Sequence, residues 1–268
     1  MGHRARKAFL EKNPLCCFCG GAEPSTEEDH FPSKYFFSGR IWPDGYKFPA
    51  CSNCNRRSTK AERLCARISK IARPFGSPFR DAETDEALKN FVSEFPEIAS
   101  EIFPRAIDIR RYLRENNIER PAGFLQDIGI IVFPETVTYY IAIFGCKLAC
   151  ALHYKHAGSI VREDQRIGLL FFTNEAIVLG KKVIPDINIF KDAPRLKRDQ
   201  KVFDGEFDYR YGVDLENNSS GFFVSFGNSF ALLFGVINDQ TWDQAPLFDI
   251  FGNPANKHAA DVVGLGDL

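Results

Sequence analysis

Two Cys-x-x-Cys pairs near the start of the chain restrict how this part of it can fold. The pairs are Cys16–Cys19 and Cys51–Cys54, and 31 residues separate them. A two-residue spacer lets two thiolates from one tight turn reach a single ion, and two such turns supply four sulfur ligands for Zn²⁺. We therefore expect a structural zinc ion held by Cys16, Cys19, Cys51 and Cys54. Cys17 is a spare thiol, and its pairing with Cys19 is a less well spaced alternative.

The number of cysteines and the start of the chain indicate the cellular compartment of the protein. Eight cysteines in 268 residues are too few for a disulfide scaffold,. The basic start MGHRARKAFL is not followed by the apolar run of a secretory signal,. We therefore expect a cytoplasmic, reducing environment in which paired cysteines bind metal. Cys146 and Cys150 are expected to be small buried hydrophobic residues.

Charge is distributed unevenly along the chain, although the formal net charge is only -1. Residues 1–80 contain 15 Lys and Arg against 7 Asp and Glu, a net charge of +8, so the remainder carries -9. This asymmetry predicts that the first third contacts a polyanion and that the acidic remainder is not a second broad nucleic-acid surface. The composition, 44% hydrophobic and 26% charged, is typical of a globular protein,.

Hydrophobic patterning predicts an α+β protein in three parts. Residues 1–71 form a zinc-stapled domain ending in an amphipathic helix, and residues 72–120 form a helical bridge. Residues 121–268 form an α+β domain with an antiparallel sheet, because short β-type runs follow a helix from about residue 135 to 156. The apolar stretch at residues 137–154 approaches the length of a membrane span, but Lys147 interrupts it, so we expect a buried helix and no membrane.

Two short runs near the cysteine pairs carry a family resemblance. EDHFP occupies residues 28–32, between the pairs, and NRRSTK at residues 55–60 follows the second pair. The combination of CxxC, DH, P, CxxCN and K resembles the HNH endonucleases of the ββα-metal type. The 31-residue gap resembles the four-cysteine zinc branch that includes phage Holliday-junction resolvase. This resemblance covers residues 13–70, and the C-terminal part resembles uncharacterised bacterial HNH proteins.

The resemblance implies a metal-dependent endonuclease that hydrolyses phosphodiester bonds in DNA. It implies that Asp29 and Asn55 hold a catalytic Mg²⁺ or Mn²⁺ ion and that His30 activates water. Carboxylate and amide oxygens suit Mg²⁺, and the usual histidine pKa allows proton transfer near neutral pH. Asn55 could also cap a helix. Glu27 and Glu28 are either a further metal ligand or solvated acids, and the second interpretation is favoured.

The central Asn of the family motif has no counterpart in GYKFPAC, residues 45–51. Asp44 or a backbone carbonyl near Tyr46 could take its place in orienting His30. Seven basic residues are expected to contact DNA phosphates, the alternative being a solvated basic face. They are Lys34, Arg40, Arg56, Arg57, Lys60, Arg63 and Arg67.

The sequence of the C-terminal part does not identify a ligand. His153 and His156 could bind metal, but packing or hydrogen bonding is favoured. The aromatic runs are expected to form sheet core rather than a ligand pocket or a base-stacking platform. A regulatory or targeting role, with an activating ligand or partner, is predicted, and a place in bacterial defence or mobile elements is implied by the resemblance alone. Two alternatives are a non-catalytic zinc-stapled nucleic-acid-binding module and a protein-interaction subunit. The oligomeric state is open.

Overall fold

Helices and antiparallel strands make up the computed structural model of the protein. It describes residues 3–71, 82–102, 133–173, 186–227, 230–238 and 250–252, with the single residues 107, 111, 114 and 115. The helices are α1 (His3–Lys12), α2 (Ser52–Arg57), α3 (Thr59–Ile71), α4 (Ala82–Glu94), α5 (Pro96–Ile102) and α6 (Glu135–Ala157). The predicted α+β class with antiparallel sheets is confirmed.

The strands form one hairpin near the start and a larger sheet in the second half. They are β1 (Glu27–His30), β2 (Lys47–Ala50), β3 (Gln165–Thr173), β4 (Lys191–Asp192), β5 (Lys197–Arg198), β6 (Lys201–Val202), β7 (Asp208–Asp214), β8 (Ser219–Phe226), β9 (Phe230–Asn238) and β10 (Ile250–Gly252). The β-type runs predicted at 167–173 and from 202 onward are confirmed as strands up to residue 238. The run predicted at 176–185 and most of the one at 129–134 lie outside the described residues.

The first two strands form an antiparallel hairpin that leads directly into helices. In its register Asp29 lies opposite Phe48, and His30 lies opposite Lys47. The α2 helix follows β2 at once, since the Cys51 sulfur accepts a hydrogen bond from the Cys54 backbone N–H at 3.4 Å and so caps the first turn,. The helix therefore begins three residues before Asn55, because a thiol rather than an amide caps it.

The α3 helix buries the apolar stripe that its sequence predicts. Leu64, Ile68 and Ile71 are all buried. Their spacing of three and four residues places them on one face of the helix. The bridge predicted to follow is helical where the structure describes it, in α4 and α5, and the rest of residues 72–120 lies largely outside the described residues.

The α6 helix is the central helix of the protein. It is apolar around most of its circumference, which is typical of a helix packed on several sides. It ends at Gly158, whose φ of 73° is readily adopted only by glycine and whose N–H donates to the Tyr154 carbonyl at 3.1 Å,. By length and composition α6 could cross a membrane, but 78% of its most apolar window is buried inside the protein. The predicted buried helix is confirmed.

The larger sheet covers α6 with the strand order β10-β3-β9-β8-β7-β4, every neighbouring pair being antiparallel. Burial alternates along β8, with Phe222, Val224 and Phe226 inside,. The aromatic residues of these strands therefore form core, as predicted.

Aromatic residues also join the N-terminal part to α6 and the sheet. The Phe144 ring lies 5.4 Å from that of Phe31 and 5.1 Å from that of Phe36, and the Phe36 and Phe226 rings are 4.9 Å apart. All four side chains are buried. The hairpin, its connecting loop, α6 and β8 thus share one hydrophobic core, so the part with the two cysteine pairs is packed against the C-terminal part.

Candidate metal centre and catalytic residues

The four predicted zinc ligands lie together at the base of the hairpin. The sulfur atoms of Cys16, Cys19, Cys51 and Cys54 are all within 4.8 Å of one another, and the four residues are buried. Gly20 and Gly21 form the tight turn that follows the first cysteine pair. Their φ angles are 61° and 80°, which glycine readily adopts,. The predicted grouping is confirmed, and the cluster could hold a tetrahedral zinc ion.

Neighbouring thiols favour a thiolate in this cluster. Hydrogen bonds from Cys16 and Cys54 lower the pKa of Cys19 to about 4. Zinc requires deprotonated sulfur, so the cluster already favours the ligand form at one position. Cys17 is also buried, but it is not part of the cluster, and burial raises the pKa of its thiol well above the usual value. The four-cysteine assignment therefore fits better than a Cys17–Cys19 pair.

His30 ends β1 on the side opposite to Asp29. Its ring centroid is 4.1 Å from that of Trp42, and it is half-buried. Burial lowers the pKa of His30, and the charge of Lys47 lowers it further, while Glu28 and Asp29 act in the other direction. Because the lowered pKa favours the neutral imidazole at neutral pH, His30 can accept a proton.

Asp29 faces the protein interior. It is 8% exposed, and its Oδ2 lies 2.7 Å from the Nζ of Lys147, which α6 contributes. The same Nζ lies 2.6 Å from Glu62 Oε1 and donates to Ser58 Oγ at 2.9 Å. Lys147 is only 1% exposed. Asp29 is therefore part of a buried ionic network that joins the hairpin, α3 and α6.

Asn55 contacts a different acid of β1. Its Nδ2 donates to Glu27 Oε2 at 2.5 Å, and this hydrogen bond is the main cause of a lowered Glu27 pKa. Glu28 forms an ion pair with Lys47 at 2.6 Å. Both glutamates thus have partners inside the hairpin–helix unit, in contrast to the solvated acids favoured from sequence.

The expected divalent-metal pair is not assembled as a metal site. Asp29 and Glu27 share one face of β1, but Asp29 contacts Lys147, whereas Asn55 contacts Glu27. His30 lies on the other face because side chains alternate along a regular strand. An ammonium group in contact with Asp29 does not fit a divalent cation at the same carboxylate. The Mg²⁺ or Mn²⁺ site remains a prediction from the resemblance.

The groups proposed to orient His30 have other partners. Asp44 lies 3.8 Å from Arg198 Nε, and the Tyr46 carbonyl accepts a hydrogen bond from the Phe31 N–H at 3.3 Å. The ring of His30 instead packs on Trp42. The Arg198 guanidinium, from β5 in the C-terminal part, lies 5.1 Å from the centre of the same Trp42 ring.

The predicted DNA-contacting residues divide into two groups. Arg63 and Arg67 of α3 both pair with Glu94 of α4, and Lys60 lies 3.8 Å from Glu97. These three charges are countered by acids of the bridge. The other four residues are exposed, in α2 or in the loop between the two hairpin strands. They are Arg56, Arg57, Lys34 and Arg40.

Helix α1 adds exposed basic residues that the sequence interpretation did not assign to DNA. Arg4, Arg6 and Lys7 are exposed, and Arg6 donates to the Thr26 carbonyl at 3.0 Å, which places α1 beside the start of β1. The density of basic residues in HRARK is the signal that could have identified them. They extend the exposed basic surface of the hairpin–helix unit.

Lys147 and Glu62 are the central residues that sequence reasoning missed. A lone lysine inside an apolar helix requires a buried anionic partner, because an uncompensated buried charge is strongly unfavourable. That rule signals that a partner exists but does not identify it.

The two C-terminal histidines do not form a metal pair. His153 Nδ1 is 2.7 Å from Ser220 Oγ, and His156 Nε2 is 2.8 Å from the Tyr209 hydroxyl. Each ring is therefore engaged by its own hydroxyl on the sheet, which confirms the expectation of packing and hydrogen bonding. Burial lowers the pKa of both to about 4, so both are neutral at physiological pH.

Comparison of the chain with models of protein families, with curated proteins and with solved structures finds no match in any of the three.

Proposed function

We propose that this protein is a zinc-stapled, metal-dependent endonuclease of the HNH type that hydrolyses phosphodiester bonds in DNA. The observation that supports it most is the position of His30. It ends the first strand of a hairpin that leads directly into a helix, its pKa is lowered, and Lys47 lies opposite it. A neutral imidazole beside a cation is suited to accept a proton from water near a phosphate.

In the proposed reaction His30 removes a proton from a water molecule whose oxygen attacks phosphorus. The new P–O bond forms as the bond to the leaving oxygen breaks. The abstracted proton is held by the imidazole, and the leaving oxygen takes a proton from solvent. Near His30, Lys47 pairs with Glu28 at 2.6 Å and Arg198 lies 3.8 Å from Asp44. The approach of an anionic substrate is therefore favoured mainly by the exposed basic residues of α1 and α2,. The zinc ion is structural in this proposal, because four thiolates fill its coordination and leave no position for water.

The C-terminal part is proposed to regulate or target the nuclease. A cavity of about 390 Å³ opens beside β4, β7 and β8. Two exposed ion pairs line it, Arg195 with Asp204 and Arg210 with Asp192. The cavity is open to solvent, and ligand control is proposed from the resemblance and not from this cavity.

We expect cleavage of supercoiled plasmid or single-stranded DNA by the wild-type protein in Mg²⁺ or Mn²⁺, and its loss in EDTA. The zinc content is measured after each EDTA treatment, because loss of the structural ion would stop cleavage for a different reason. Re-addition of Mg²⁺ to protein that has kept its zinc should restore the activity. Full cleavage in EDTA by such protein would contradict the divalent-metal requirement.

A second candidate function is DNA binding without cleavage, and the Asp29–Lys147 ion pair favours it. This pair occupies the carboxylate that the resemblance assigns to the catalytic metal. Binding at low salt with no cleavage in Mg²⁺, Mn²⁺ or Ni²⁺ would select this function. Negligible binding at low salt would instead indicate a protein-interaction subunit.

Both nucleic-acid functions predict that Arg56 and Arg57 contribute more to DNA affinity than Arg63 and Arg67. Substitution of both Arg56 and Arg57 by Gln should weaken DNA binding and reduce the salt slope of log Kd by about 2, because each lost phosphate contact removes about one unit. The matched control replaces Arg63 and Arg67 by Gln, whose charges already pair with Glu94. Anisotropy titrations at several salt concentrations should show little change in the control. The reverse order would contradict the assignment of the exposed arginines.

A further inference from the structure

The segment that packs on His30 has no regular secondary structure. Residues 41–46 form neither helix nor strand, and Ile41 in this segment is 42% exposed. The centroid of the Trp42 ring, from the same segment, lies 4.1 Å from that of His30, and the two ring planes are inclined at 53°. A segment of this kind is held in place by tertiary contacts rather than by its own backbone hydrogen bonds. The position of the Trp42 ring beside His30 therefore depends on what holds residues 41–46.

The C-terminal part holds this segment through the β5–β6 hairpin, residues 197–202. The Lys197 carbonyl accepts a hydrogen bond from the Asp44 N–H at 3.1 Å. The Arg198 guanidinium carbon lies 5.1 Å from the centre of the Trp42 ring, and Nη1 of Arg198 donates to the Trp42 carbonyl at 3.5 Å. A guanidinium over an indole ring is attracted by the π electrons of the ring. Arg198 thus contacts both the backbone and the ring of Trp42.

A second set of contacts holds an earlier part of the same loop between β1 and β2. The Lys201 ammonium donates to the Ser38 carbonyl, and the Ser38 N–H donates to Glu206 Oε2 at 2.6 Å. Lys201 and Glu206 also form an ion pair at 3.6 Å. Residues 197–206 therefore hold the loop at two places, on either side of Ile41.

We infer that Arg198 is a positioning residue for His30: its guanidinium holds the Trp42 ring, and that ring keeps the imidazole in the orientation in which it accepts a proton from water. The inference rests on the proposed function for the reaction that His30 carries out. It gives the C-terminal part a share in building the proposed active site, in addition to regulation or targeting.

The first measurement is the NMR spectrum of the histidine ring protons in the full chain, without DNA. It is recorded about two pH units above the usual histidine pKa, where the imidazole is neutral in every variant and a shift reports geometry. The His30 signals are assigned by their absence in His30→Ala, and their displacement by the Trp42 ring current is measured with Trp42→Leu. Arg198→Gln should move these signals toward those of an exposed histidine. Lys197→Gln, the matched control, removes the charge of the exposed neighbouring residue and should leave them unchanged.

Cleavage kinetics test whether this position matters for the reaction. Arg198→Gln should lower kcat at least about tenfold, since a displacement of about 1 Å can cost about 10²-fold. Its DNA Kd should change no more than that of Lys197→Gln, which loses the same charge. In the Trp42→Leu background, Arg198→Gln should lower kcat no further, because Arg198 acts through the ring. A loss of DNA affinity with unchanged kcat would make Arg198 a phosphate contact and would overturn the inference.

The inference and the proposed nuclease fail in different ways. Unchanged His30 signals in a folded Arg198→Gln protein would overturn the inference, whatever its activity. Zinc content and circular dichroism establish folding, and the Arg198 side chain is 36% exposed, so its substitution should leave the fold intact. Arg198→Met, of similar length, is the second variant. If the wild type cleaves no DNA, the proposed function fails, and the His30 signals alone then decide whether Arg198 holds Trp42 on His30.

Discussion

Cys51→Ser is expected to release the zinc ion and to unfold the hairpin and the helix that follows it. Cys51 has two roles, because its sulfur belongs to the four-cysteine cluster and also caps α2. Apparent binding free energies of structural zinc are about 10–16 kcal/mol, and this energy contributes directly to folding. A hydroxyl at this position cannot replace the thiolate. The loss should exceed the stability of a typical domain.

Metal analysis and thermal unfolding measure this outcome. The wild type should contain about one zinc ion per chain, as four-thiolate coordination requires, and the variant should contain almost none. Cys17→Ala is the matched control, since Cys17 is an equally buried neighbour outside the cluster, and it should retain the metal. A Cys51→Ser protein with full zinc content and an unchanged melting temperature would rule out a structural zinc site.

His30→Ala is expected to reduce DNA cleavage by about 10²- to 10⁴-fold, the usual contribution of a general base. The zinc content and melting temperature should change little, because His30 is half-buried and lies at a strand end. His156→Asn is the control, a histidine engaged with Tyr209 in the C-terminal part. Cleavage by His30→Ala at the wild-type rate would remove His30 from the mechanism.

The pH dependence gives an independent test of the same residue. A general base acts when unprotonated, so the rate should rise with pH through the folded pKa of His30, which lies below its usual 6.5. The rate at pH 7 should therefore lie closer to its plateau than it would with a histidine of ordinary pKa. Lys47→Met removes a positive charge and leaves Glu28 unpaired, and both changes should move the rising limb to higher pH. A limb that does not move would indicate a different titrating group.

The cysteine cluster and the helices were predictable because their signals are local. A two-residue spacer fixes the geometry of each cysteine pair, and the apolar stripe of α3 is visible in a single window of sequence. The burial of α6 followed from its apolar composition. These features depend on neighbours along the chain, so the sequence carries enough information to place them.

The partners of the site residues were not predictable in the same way. Lys147 and Glu62 are separated by 85 residues, and no sequence pattern marks them as a pair. Asp29 was assigned to a metal and Glu27 to solvent, but strand alternation places both on the face that meets the helices and α6. The packing of α6 determines which carboxylate meets its lysine, and the turn from β2 into α2 brings Asn55 to Glu27. Similarly, the sequence around Arg63 and Arg67 on α3 did not indicate that both would form ion pairs with Glu94.

The aromatic residues that share the core are synthesised at different times. The segment with the two cysteine pairs leaves the ribosome well before α6, at a synthesis rate of about 5–20 residues per second. Until α6 arrives, the rings of Phe31 and Phe36 lack the Phe144 ring that contacts them in the finished protein. For several seconds these rings are therefore exposed hydrophobic surface on the nascent chain. A chaperone that binds such surface would be most useful at this stage of synthesis.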